Sequence, residues 1–193
     1  MKRLGVFCGS SPGVSPEFAT AAHELGQLMA ARNIELVFGG SHVGLMGVVA
    51  DAVLAGGGSV IGVLPRFMQE KELAHTGIST LHLVDTMHER KQRVAELADG
   101  FVALPGGFGT FEEIFEAITW GQLHLHDSPC GLLNVEGYFD ALVEFLRQSV
   151  ANGFVKQSQL NALIVANHPK ELLNRFAAFQ PDRSEKWIPT DLI

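Results

Sequence analysis

Short apolar runs alternate with amphipathic segments along the whole chain, and this alternation limits the fold more than any other property of the sequence. Leu4 to Cys8, Ile34 to Phe38, Val60 to Leu64, Leu81 to Val84, Phe101 to Leu104, Gly131 to Val135 and Leu163 to Val165 each read as a strand. Strands apolar on both faces need cover on both faces, which repeated β-α units of a parallel sheet supply. Between them, helical spacing marks a segment opened by Ser15 and Pro16, with Phe18, Ala22, Leu25 and Met29 on one face. Further helices are predicted from about Leu45 to Ala55, Met87 to Leu97, through Glu113, around Phe139 to Val150 and from Pro169 to Phe179. The expected fold is α/β and Rossmann-like: three layers, with a mostly parallel sheet covered by helices on both faces. Residues 1–179 form one domain in this reading, and 180–193, with Pro181, Asp182, Arg183 and Ser184, form a loose tail.

In such sheets ligands bind beyond the carboxyl ends of the strands. Three glycine-bearing loops fall there: Gly9-Ser10-Ser11-Pro12-Gly13, the stretch from Gly39 to Gly47, and Pro105-Gly106-Gly107-Phe108-Gly109. The last opens a helix, where bare backbone N–H groups and the helix dipole both favour an anion. Three such loops on one edge point to a phosphate-bearing ligand. No lysine follows a glycine run as a P-loop requires, and G-x-G-x-x-G is absent from the first βα turn. Phe38-Gly39-Gly40 stands where a ribose-binding acid would end the second strand. Kinase and nicotinamide-dehydrogenase chemistry are therefore set aside.

Two charged positions carry alternative readings. Thr110-Phe111-Glu112-Glu113 fits a capping box, in which Glu113 reaches back to the cap N–H. Beside an anion cradle, the same Glu113 is equally a catalytic acid or base. Thr86-Met87-His88-Glu89 is a second capping-box pattern, and Arg90 follows it at helical spacing among Met87, Val94 and Leu97. An arginine on an apolar face needs a partner, either a structural carboxylate or a ligand. Lys91 points about 100° away, one residue on in the helix, and reads as solvated.

Composition narrows the classes further. A net charge of −7 is wrong for a general nucleic-acid binder, which carries a basic face. No apolar run reaches the length of a membrane span, and the first strand begins too early for a secretory signal. The two cysteines, Cys8 and Cys130, lie in predicted strands and read as core, with neither a disulfide framework nor metal-ligand spacing. The eight histidines form no metal constellation, His124 and His126 included. A cytoplasmic location with no metal and no cofactor is expected.

Met87-His88-Glu89-Arg90-Lys91, followed by Pro105-Gly106-Gly107-Phe108-Gly109-Thr110-Phe111-Glu112-Glu113, resembles the LOG family of cytokinin riboside 5′-monophosphate phosphoribohydrolases, long labelled "possible lysine decarboxylases". The likeness runs from the first strand to about Phe154 and includes Gly44-Leu45-Met46-Gly47, Trp120-Gly121-Gln122-Leu123 and Gly131-Leu132-Leu133-Asn134. Ser41 with His42 departs from it, where the family continues a glycine run. The resemblance implies hydrolysis of the N-glycosidic bond of a nucleoside 5′-monophosphate, giving free base and ribose 5-phosphate. It implies Arg90 and Glu113 as the catalytic pair and Gly106, Gly107, Gly109 and Thr110 as the phosphate cradle, with Ser10 and Ser11 contributing. Glu72, Met87, Lys91, Glu112 and Thr119 match further substrate-binding positions, and a homodimer is implied. Two other readings stay open at this point. A pyridoxal-phosphate decarboxylase would need Lys91 as its Schiff-base amine, and a Rossmann-like carrier would bind a nucleotide or cofactor without turnover.

Overall fold

The computed structural model describes residues 1–69 and 73–181. Seven strands form a single parallel sheet: β1 (Arg3–Phe7), β2 (Glu35–Phe38), β3 (Val60–Pro65), β4 (Thr80–Val84), β5 (Phe101–Ala103), β6 (Cys130–Leu133) and β7 (Ile164–Ala166). Their order is β4-β3-β2-β1-β5-β6-β7. The chain thus builds outward from β1 in one direction, then returns to place β5 on the other side of β1. That reversal opens a crevice at the carboxyl ends of β1 and β5, the position where ligands bind in open α/β sheets.

The helices are α1 (Pro16–Ala31), α2 (Gly44–Ala55), α3 (Arg66–Gln69), α4 (Met87–Leu97), α5 (Phe108–Gln122), α6 (Asp140–Ala151), α7 (Gln157–Ala162) and α8 (Pro169–Ala177). Side-chain alternation along the strands splits the interior into two cores. Leu4 and Val6, Leu36 and Phe38, and Val102 and Leu104 pack under α1, α2 and α8, against Leu25, Met29, Val49, Val53 and Leu172. Phe7, Val37, Phe101 and Ala103 face the other way, toward Val94 of α4, Ile114 and Ala117 of α5, and Phe139. The expected three layers are present. Among the described residues, no helix is long and apolar enough to cross a membrane.

Ser15 caps α1 through its side chain, with Pro16 at the first helical position, as the sequence predicts. Thr86 likewise caps α4, its hydroxyl accepting from Glu89 N–H, while Glu89 accepts from Asp85 N–H. The capping box at Thr110 does not form. Helix α5 begins three residues earlier, at Phe108 with Gly107 as its N-cap, so Thr110 lies inside the first turn and is buried. Glycine is an acceptable cap, and the Glu113 carboxylate is engaged elsewhere. Cys8 sits one residue beyond β1 rather than within it, and is buried. The short helices α3 and α7 were not foreseen. Of the expected tail, only Gln180 and Pro181 belong to the described residues.

Ser41 and His42, the departure from the glycine run, have a structural use. Ser41 is buried and bridges to Ala74, and His42 N–H donates to Leu73 O at 3.1 Å. Nearby, His75 is buried with Nε2 3.1 Å from Asp51 Oδ1 of α2. These contacts fasten residues 73–75 over the end of β2.

Candidate active site

The three glycine loops do converge, and one peptide links them. Gly9 N–H donates to Pro105 O at 3.0 Å, and Gly9 O accepts from Leu45 N–H at 3.0 Å. The carboxyl ends of β1 and β5 and the start of α2 are therefore held as one unit. Tyr138, in the loop after β6, donates from its hydroxyl to Gly106 O at 2.5 Å, adding a fourth loop to the edge.

At the start of α5 the backbone N–H groups of the first turn have no intrahelical partner, as at any helix N-terminus. Space above Gly107 and Gly109 is open: a Cβ on either would meet nothing within 4 Å. Gly106 is different, because a Cβ there would collide with the Thr110 hydroxyl tucked beneath it. The cradle thus has a closed floor at Gly106 and Thr110 and an open rim at Gly107 and Gly109. Phe108, between the two open glycines, is 92% exposed. Ser10 and Ser11 are exposed in the neighbouring loop, where Ser11 Oγ accepts from Gly13 N–H at 3.2 Å.

Arg90 and Glu113 meet across α4 and α5. Arg90 Nη2 lies 3.1 Å from Glu113 Oε1, with only 12% and 13% of the two side chains exposed. The two charged readings of the sequence therefore resolve into one pair. Room for the guanidinium comes from Gly39 at the end of β2, where any Cβ would collide with Nη2. Arg90 Nη1 is 3.8 Å from Met87 Sδ, and its buried Nε–H finds no partner among the described residues. A buried donor without a partner calls for a ligand or water. Burial pushes the Glu113 carboxyl above the usual carboxylate range; Arg90 opposes the shift, and Glu112 adds to it. Such a group can exchange a proton nearer neutrality than an ordinary glutamate.

Beside this pair, Lys91 Nζ lies 2.5 Å from Glu112 Oε1 and 3.0 Å from Glu116 Oε1. Lys91 is not the solvated residue expected from its helical angle. Its hydrogen bond to Glu112 leads the causes that raise its pKa, so the amine stays protonated. Thr119 is exposed farther along α5 and donates to Phe115 O at 2.7 Å. Glu72 lies outside the described residues. His126 is structural: it contacts Ala117 O at 2.9 Å and accepts from Ser128 N–H at 3.1 Å, and burial lowers its pKa. Among the described residues, no group of three or more His, Cys, Asp or Glu is arranged to hold a metal ion.

Gly39, Glu116 and Tyr138 belong to this site and were missed from sequence. The first two stood in view, Gly39 in a glycine loop and Glu116 one turn from Glu112. Nothing local marks Tyr138.

The family model described as "Possible lysine decarboxylase" matches residues 46–176. The chain is 44% identical over 185 residues to the cytokinin riboside 5′-monophosphate phosphoribohydrolase LOG1 of Arabidopsis thaliana, covering 96% of this chain and 86% of that one. The chain belongs to the LOG family. A second LOG protein of the same plant, LOG7, is 44% identical over 184 residues, covering 95% of this chain and 85% of its own. Beyond the LOG relatives, the molybdenum cofactor binding protein from the phototrophic bacterium Rippkaea orientalis shares the fold. It is 22% identical with a TM-score of 0.70, covering 91% of this chain and 95% of that one.

Proposed function

We propose that this LOG protein hydrolyses the N-glycosidic bond of a cytokinin riboside or adenosine 5′-monophosphate, releasing free base and ribose 5-phosphate. The observation that carries the reading is the buried Arg90–Glu113 pair beside the open N-terminus of α5, at the crevice between β1 and β5. The 5′-phosphate occupies the rim made by Gly107 and Gly109, above Gly106 and Thr110, with Ser10 and Ser11 to one side. Met87, Lys91, Glu112, Thr119 and Glu72 complete the proposed nucleotide contacts. Water attacks C1′ as the bond from C1′ to the base nitrogen breaks, and the bonding pair leaves with the base. Ionised Glu113 stabilises the positive charge growing on the ribose and takes the proton of the attacking water. Arg90, whose guanidinium reaches Glu113, offsets the negative charge on the departing base.

The decarboxylase reading loses support from Lys91, because an amine held between two carboxylates and kept protonated is a poor nucleophile. The proposal includes a homodimer, supported by the exposed apolar side chains of Phe108, Phe145 and Phe154. It also includes a cytoplasmic location, with which the free thiols of Cys8 and Cys130 agree.

The test is incubation with isopentenyladenosine 5′-monophosphate, AMP and the dephosphorylated riboside, with assay of free base and ribose 5-phosphate. Release from monophosphates alone is expected, and the rate ratio reports base preference. Nucleotide binding without release would replace this reading with a non-catalytic carrier.

A further inference from the structure

Lys91 is buried to an extent unusual for a lysine, with 13% of its side chain exposed, while its partners Glu112 and Glu116 are 53% and 27% exposed. Glu112 and Glu116 stand one turn apart on α5, a spacing at which like charges repel unless a cation lies between them. Lys91 is that cation, and it reaches them from α4. Its chain neighbour Arg90 pairs with Glu113, the chain neighbour of Glu112. Two adjacent residues of one helix thus bridge two adjacent residues of the next.

We propose that Lys91 is a positioning residue: clamped by Glu112 and Glu116, it fixes α4 against α5 so that Arg90 meets Glu113, and it offsets the carboxylates crowding that site. This assignment rests on the phosphoribohydrolase reading and adds to the nucleotide contact proposed for Lys91 a role exerted through α5. The groups around Glu113 are Arg90 and Lys91 from α4, Glu112 and Glu116 from its own helix, and the Cys8 thiol at the end of β1, which burial keeps neutral. Lys91 supplies one of the two positive charges in that set. Without it Glu112 and Glu116 face Glu113 uncompensated, and the Glu113 proton is held more tightly.

The experiment is the pH profile of kcat/KM for base release from AMP or its isopentenylated form, with kcat and KM resolved, for wild type, Lys91→Met, Lys91→Arg and Glu116→Gln. For Lys91→Met, kcat falls about tenfold and the acidic limb rises by about half a pH unit, while any rise in KM reports the lost nucleotide contact. Lys91→Arg restores most of kcat. Glu116→Gln keeps the side-chain shape and removes a negative charge, so its acidic limb moves down; it carries the test alone should Lys91→Met fail to fold. A Lys91→Met protein with raised KM and an unmoved limb would overturn the clamp and leave Lys91 a substrate contact only, as would a Glu116→Gln profile identical to wild type. Wild type releasing no base would instead overturn the underlying reading.

Discussion

The two helical layers do different work. On one side α1 and α2 pack tightly on the sheet and on each other, with Ala21, Ala22, Leu25, Gly26 and Met29 buried in the first and six residues of the second buried as well. On the other side α4 buries only Val94, α5 buries Thr110, Ile114 and Ala117, and α6 buries no residue. Both layers start from the same strands, so the difference lies in the helices. The first layer uses small residues to bring helices close. The second spends its half-buried positions on Arg90, Lys91, Glu113 and Glu116, which satisfy one another rather than fill space. The proposed chemistry occupies the layer that packing leaves unfinished.

The largest expected effect in the chemical layer comes from Glu113→Gln, which should lower turnover by about 10²- to 10⁴-fold while nucleotide binding persists, measured by base release and calorimetry. Its stability should hold at neutral pH. The folded protein keeps the Glu113 proton more tightly than an unfolded chain would, so this group favours folding at acid pH and loses that contribution as pH rises through its raised value. An active Gln variant would reduce Glu113 to a partner for Arg90. In the packing layer, Leu25→Ala at a fully buried position should cost about 2–5 kcal/mol in denaturant unfolding. Phe145→Ala on α6, at a residue 62% exposed, should cost less than about 0.5 kcal/mol in a monomer. A large loss there that depends on protein concentration would mean that a second chain covers this face.

Gly39→Ala joins the two layers' logic, since its methyl would displace Arg90 Nη2. We expect about a tenfold loss of kcat/KM with little change in melting temperature. Unchanged kinetics would mean that Arg90 does not need the place it occupies. The smallest kinetic effect belongs to Tyr138→Phe, which deletes the hydrogen bond to Gly106 O and should raise KM for the monophosphate about threefold, without moving the riboside.

Much of this comparison was legible from sequence. Strands buried on both faces announce themselves as apolar runs, and Arg90 and Glu113 each stood out by chemistry. Their meeting did not, because helical spacing gives an angle and never the identity of the helix lying in that direction. Lys91 shows the same limit: its angle away from Arg90 suggested water, whereas α5 occupies that direction. The Thr110 capping box failed because the pattern is local, and Gly107 starts the helix sooner while Arg90 claims the carboxylate. Tyr138 reaches Gly106 across 32 residues of sequence, beyond any periodic signal. Helices α3 and α7, at four and six residues, are too short to generate one.

The pairing of β1 with β5 has a consequence for how this molecule comes into being. Gly5 lies beside Phe101, and Asp99 accepts from the N–H groups of Lys2 and Arg3, contacts that span nearly one hundred residues. Closing so long a loop costs entropy before its contacts reward it. Until β5 docks, Gly9 has no Pro105 to bond, and the edge proposed to receive the nucleotide has only one wall. On refolding from denaturant, recovery of activity should therefore trail the gain of helical signal, because the reactive edge of the sheet is among the last parts of the chain to be assembled.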